Sequence, residues 1–287
     1  MIHSLDAHFA DVLANLEKLS DGDLGAISSD ASGLRWVVSF THDREPTSPI
    51  STTIPPPICI RTSPLPVGVE RSGMPMVLLV HGGPWARDCW GYEPDVQLLA
   101  NRGYAVLQVN FRGSTGYGKA FVKAAIGEFA GKMHDDLIDA VDWAVKEGYA
   151  DRDRVAIFGG SYGGISSLAN FMRTLPAVAR PHLANNWHLF VGDPDDPEQE
   201  ADILARSPIV KVDQIRTPLM VVQGANDSRV VQAESDNLVE ALRARGVEVE
   251  YMVKDDEGHG FVNDENVIDM YRAVERFLAE HLGGRRS

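Results

Sequence analysis

From residue 67 onward, short apolar runs alternate with polar stretches whose apolar positions recur at helical spacing. Met76-Val-Leu-Leu-Val80 is apolar at every position, the pattern of a strand covered on both faces. Asp95–Asn101 reads as a helix and Tyr104–Asn110 as a strand. Residues 135–147 gather Leu137, Ile138, Val141, Ala144 and Val145 on one helical stripe. The alternation continues with strand Arg154–Phe158, strand Pro218–Gln223, helix Ala233–Arg245, strand Glu248–Val253 and helix Ile268–Leu282. Strands alternating with helices predict an α/β class protein with a mostly parallel central sheet and helices on both faces.

The first 66 residues read differently. Phe9, Val12, Leu13, Leu16 and Leu19 predict one helix. Leu34–Phe40 predicts a strand after the turn-rich Ser29–Gly33. Residues 45–66 hold seven of the sixteen prolines, a density that suits a linker. The expected organisation is therefore a short N-terminal segment, 1–66, and a larger domain, 67–287.

Composition narrows the classes further. Hydrophobic residues at 44% and charged residues at 24% are an ordinary globular balance. No apolar run approaches the roughly 18 residues of a membrane helix, so no membrane partner is expected. The start, Met-Ile-His-Ser-Leu-Asp, lacks a secretory pattern, and two cysteines, Cys59 and Cys89, fit a reducing cytosol. The expected location is cytoplasmic. A net charge of −14 argues against a nucleic-acid partner.

Candidate chemistry begins directly after the strand ending at Phe158. Gly159-Gly-Ser161-Tyr-Gly163 is G-x-S-x-G between a strand and a predicted helix, where a sharp turn lifts the serine hydroxyl above the sheet edge. Small neighbours are expected around so tight a turn. Asp227 follows the strand ending at Gln223, and His259 follows the strand ending near Val253. Ser, Asp, His is the order found in α/β-hydrolases, and open parallel sheets bind ligands at the carboxyl ends of their strands. Ser161 would be the nucleophile, His259 the base and then the acid, and Asp227 the group that orients His259. Backbone N–H groups of Tyr162 and of Gly83, in His81-Gly-Gly-Pro84, would stabilise the oxyanion. Trp85, Arg87 and Tyr92 follow that loop and either line the substrate pocket or pack.

Together these motifs resemble a known family. From about Val67 to Gly284 the chain is similar to the catalytic domain of the prolyl oligopeptidase family, in its acylaminoacyl-peptidase and dipeptidyl-peptidase-like branches. The resemblance rests on His81–Pro84, Asn110-Phe-Arg-Gly-Ser-Thr-Gly-Tyr-Gly118, Gly159–Gly164, Gly224–Asp227 and Glu257–Phe261. It implies an α/β-hydrolase fold, and cleavage of short or N-acylated peptides through an acyl-enzyme. It implies no metal or cofactor, and an arginine, Arg112, that braces loops around the site. Two departures stand out: the segment before residue 67 is far shorter than the family's β-propeller, and a helix–strand unit after Gly164 is missing. Residues 165–175 have helical spacing and would stand in for the helix after the nucleophile.

Those departures keep two alternatives open, a carboxylesterase with the same triad and a truncated, inactive hydrolase. A sheet edge left open by a missing strand would also favour homo-oligomers. Outside the motifs, residues 192–202 hold six carboxylates in eleven positions without calcium-loop spacing, and are expected to form a solvated acidic loop. His134 beside Asp135 and Asp136 is read as a helix start, with no metal assigned.

Overall fold

The apolar run around Met76 is a strand, and its neighbours explain why it carries no polar residue. In the computed structural model, β3 (Met74–Val80) pairs in parallel with β4 (Ala105–Gln108) on one side and β5 (Ala150–Gly159) on the other. Met76 lies opposite Ala105 and Val155, and Val80 lies opposite Gly159. Met76, Val77, Leu78 and Val80 are buried. Each such side chain contributes about 1.5–3 kcal/mol by leaving water.

The structure describes residues 23–29, 36–41, 72–89, 91–164, 172 and 187–286. The expected helix Phe9–Leu19, the proline-rich stretch 45–66 and, apart from Met172, the segment 165–175 lie outside them. Contacts divide the chain into two compact units, Met1–Thr52 with Cys89–Leu98, and Thr53–Asp88 with Leu99–Ser287. In the first, β1 (Asp23–Ser29) and β2 (Trp36–Thr41) pair antiparallel, with Ser29 opposite Trp36. The sequence predicts β2 but not β1, which lacks an alternating apolar pattern.

Helices among the described residues include, in chain order, α1 (Pro94–Asn101), α2 (Lys119–Lys123), α3 (Lys132–Lys146), α4 (Pro197–Arg206), α5 (Gln232–Arg243) and α6 (Asp264–Leu282). The stripe predicted for 135–147 is real. Met133, Leu137, Ala140 and Ala144 of α3 are buried in the same core as β3, while Ile138 is exposed.

A second parallel pair, β6 (Leu219–Gly224) and β7 (Val249–Lys254), forms its own two-stranded sheet, with Leu219 opposite Val249 and Gly224 opposite Lys254. Among the described residues no strand lies between β5 and β6. Val239 and Leu242 of α5 pack with Val249 in a smaller core, against partly buried Leu219 and Val221. The apolar end of β5 is correspondingly open, with Ile157 58% exposed.

The acidic stretch 192–202 is not simply a solvated loop. Its second half enters α4, where Asp196 caps the helix by accepting from the N–H of Glu198 (3.0 Å) and Gln199 (3.2 Å). Pro197 occupies the first turn, and Glu198 and Glu200 sit at the positive end of the helix dipole. Asp202 pairs with Arg206, which also donates to the carbonyls of Val191 and Phe129. The carboxylates thus start and anchor a helix.

Candidate active site

Strand β5 ends at Gly159, where a Cβ would come within 2.9 Å of the Val80 carbonyl. That approach requires glycine. At Gly163 a Cβ would make ordinary contact at 3.7 Å, and at Gly160 it would meet nothing within 4 Å, so crowding explains one of the three glycines. Ser161 then adopts φ +57°, a left-handed conformation shared among the described residues by one other non-glycine, Ala130. A 3-10 turn, Ser161–Gly164, follows directly.

Opposite the serine, His259 Nε2 lies 3.1 Å from Ser161 Oγ. His259 Nδ1 lies 2.8 Å from Asp227 Oδ2. The carboxylate can only accept, so Nδ1 carries the proton and Nε2 faces the hydroxyl as an acceptor in the neutral ring. The other Asp227 oxygen accepts from the backbone N–H of Arg229 (2.8 Å) and Val230 (2.9 Å), which fixes the carboxylate.

The loops that carry Asp227 and His259 are joined backbone to backbone. A Cβ on Gly224 would sit 2.3 Å from the Gly258 carbonyl oxygen and 2.7 Å from that of Glu257. Asn226 donates its N–H to Glu257 O (2.8 Å) and its side-chain amide to Asp255 O (2.6 Å).

Glu257 holds the His259 loop from within. It is 0% exposed, and its oxygens accept from the N–H of Val262 and Asn263 and from the Asn266 amide, each at 2.9 Å. Burial works to raise its pKa, yet those three donors outweigh it and hold the carboxyl below its ordinary value. Residue-level reasoning missed Glu257, although it stands two positions before His259 in a motif already singled out.

Beside the serine runs the loop after β3. A Cβ on Gly82 would lie 3.4 Å from Ser161 Cβ, so the peptide between Gly82 and Gly83 borders Ser161. Segment 110–118 supports this loop. Asn110 accepts from the Asp88 N–H (2.8 Å) and donates to the Asp88 carbonyl (3.1 Å) and to Tyr117 Oη (3.0 Å). Thr115 N–H donates to the Ala86 carbonyl (2.9 Å). Arg112 makes a two-pronged bond to Asp136 on α3, Nε to Oδ2 at 2.8 Å and Nη2 to Oδ1 at 2.6 Å. Asp136, one of the two carboxylates after His134, therefore has a structural partner. Among the described residues no group of three or more His, Cys, Asp or Glu side chains could hold a metal ion.

Tyr162 packs between rings, stacked on Phe111 at 5.2 Å and edge-on to Phe129 at 5.3 Å. Burial pushes its phenol pKa up. Trp85 belongs to the same aromatic cluster, edge-on to Trp187 at 4.8 Å and Phe190 at 5.0 Å. Arg87 is exposed and lies over the Tyr117 ring at 5.7 Å. Tyr92 falls in the other unit and is 63% exposed.

A family model described as the prolyl oligopeptidase family matches residues 90–285. The chain belongs to that family. Among relatives of this prolyl oligopeptidase family member, it is 49% identical over 239 residues to dipeptidyl aminopeptidase BIII of Pseudoxanthomonas mexicana, covering 76% of this chain and 35% of that protein. It is 28% identical over 236 residues to the acylamino-acid-releasing enzyme of Rattus norvegicus, covering 75% of this chain and 32% of that one. Among solved structures, a Mycobacterium tuberculosis puromycin-hydrolyzing peptidase superposes with TM-score 0.68 at 28% identity, over 77% of this chain and 36% of that chain. The fold is that of the α/β-hydrolases. The chain spans about a third of the length of these relatives.

Proposed function

We propose that this chain carries the catalytic centre of a serine peptidase acting on short or N-acylated peptides. One observation carries it: the continuous chain from Asp227 Oδ2 through His259 to Ser161 Oγ, at 2.8 and 3.1 Å. Ser161 Oγ attacks the scissile carbonyl carbon while His259 Nε2 takes the hydroxyl proton. The oxyanion forms against the N–H groups of Tyr162 and Gly83. The intermediate collapses by breaking the C–N bond, with His259 returning its proton to the leaving amine. Water then repeats the cycle on the ester, regenerating Ser161. Asp227 stays ionised throughout, holding the Nδ1–H tautomer and stabilising the imidazolium.

The substrate class rests on likeness. The relatives named above are a dipeptidyl aminopeptidase and an acylamino-acid-releasing enzyme, so a free or acylated short peptide is the expected acyl donor. The test compares kcat/KM on dipeptidyl and N-acyl-aminoacyl anilides with that on matched acyl esters. Turnover of the anilides that disappears in Ser161→Ala supports the peptidase. Ester turnover alone would make the protein a carboxylesterase.

A further inference from the structure

We infer that His81, fixed by Ser114, is a positioning residue that aims the second oxyanion donor; the inference rests on the proposed site and deepens it. His81 Nδ1 lies 2.8 Å from the carbonyl oxygen of Gly82. A carbonyl only accepts, so Nδ1 carries the ring proton. His81 Nε2 lies 2.9 Å from Ser114 Oγ and, in the neutral ring, accepts the serine's hydroxyl proton. Ser114 is 0% exposed, and its N–H donates to the Phe111 carbonyl at 3.0 Å, so the hydroxyl is held in one place.

The consequence follows from peptide geometry. The Gly82 carbonyl and the Gly83 N–H are opposite ends of one planar amide, so pinning the first directs the second. That amide needs pinning because it lies between two glycines, with Gly83 at φ +121°. Gly83 cannot be replaced to stiffen it, since a Cβ there would sit 2.8 Å from Trp85 N; one on Gly82 would meet Ser161 Cβ at an ordinary 3.4 Å.

The same segment reaches the first donor as well. The His81 ring stacks on Phe111 at 4.5 Å and 12°, and Phe111 stacks on Tyr162, whose N–H is the other oxyanion donor. Phe111 and Ser114 therefore set the two donors relative to each other, one by ring packing and one through His81.

Two variants separate this role from general support. His81→Phe keeps a flat ring on Phe111 but removes both hydrogen bonds, and Ser114→Ala removes only the hydroxyl. Each is measured for kcat and KM on a peptide anilide, for melting temperature, and for inhibition by a peptide aldehyde and by the matching peptide amide. The aldehyde probes the oxyanion site because Ser161 Oγ adds to its carbonyl carbon, the proton passes to His259, and the new oxyanion faces the donors. The amide probes ground-state binding alone.

For His81→Phe, kcat and aldehyde affinity should both fall by about 10²-fold, the effect of one lost oxyanion donor. KM and amide inhibition should stay within about twofold, since they do not depend on that donor. Ser114→Ala should lose about tenfold in the same two quantities, as expected for a loosened rather than deleted contact. Unchanged kcat and aldehyde affinity in both variants would overturn the inference while leaving the site intact. So would equal losses in aldehyde and amide binding, which would mark general structural support. A folded wild type that neither turns over the anilide nor binds the aldehyde would overturn the proposed site and this inference with it.

Discussion

The two pieces of the sheet reach the same site by different means. In the β4–β3–β5 piece the central strand is apolar, β3 and β4 are largely buried and packed by α3, and β5 is only partly buried beyond Ala150; the piece brings Ser161 and the Gly82–Gly83 loop from neighbouring strand ends. The β6–β7 piece has a much thinner core, and its strands are only partly buried apart from Gln223, Gly224 and Val249. It delivers Asp227 and His259 through loops that touch backbone to backbone and are braced by Glu257. In the first piece core packing and the hydrogen bonds of segment 110–118 together hold the loops in place; in the second, hydrogen bonds between loops carry more of that load. Among the described residues no strand joins the two pieces, and Ser161 and His259 meet with each loop fixed by its own half.

Substitutions that break this division differ in size. Asp227→Asn leaves the shape and removes the acceptor that selects the His259 tautomer, so kcat on a peptide anilide should fall about 10⁴-fold with little change in melting temperature. Gly224→Ala attacks the loop junction itself. Backbone carbonyls at 2.3 and 2.7 Å cannot yield, so stability should drop by about 1–3 kcal/mol and kcat by about 10²-fold, by urea unfolding and steady-state kinetics. Arg112→Ala loses a two-pronged, partly exposed ion pair in the β4–β3–β5 piece, and should cost about 1–2 kcal/mol in urea unfolding.

Glu257→Gln gives the smallest shift at neutral pH and the clearest pH signature. The folded carboxyl titrates below its ordinary value of 4.5, so its stabilisation is present above that pH and is lost as pH falls through it toward the folded pKa. Thermal unfolding of the wild type should therefore show a loss of stability below that pH that is flatter in Glu257→Gln. Parallel curves for the two proteins would remove Glu257 from the account.

Much of the fold was legible because its elements have distinct periods. The wholly apolar Met76–Val80 and the striped 135–147 could hardly be anything other than a buried strand and a half-buried helix. That Ser161, Asp227 and His259 lie side by side was legible because each follows a strand end. The acidic stretch was misjudged because Asp196 and Pro197 form a helix start whose carboxylates look, in composition alone, like solvated charge. Ser114 and Glu257 stayed hidden for another reason. They touch no substrate, and their value lies in contacts 33 residues away for Ser114 and with the backbone of Val262 and Asn263 for Glu257. No local pattern encodes such contacts.

On the proposed reading, the β4–β3–β5 and β6–β7 pieces together carry one working serine site. Its most direct test is labelling with a fluorophosphonate probe, read by intact mass, on the wild type and on Ser161→Ala. A single adduct on the wild type and none on the variant is the predicted result. No adduct on a folded wild type, or an adduct that survives in Ser161→Ala, would contradict it.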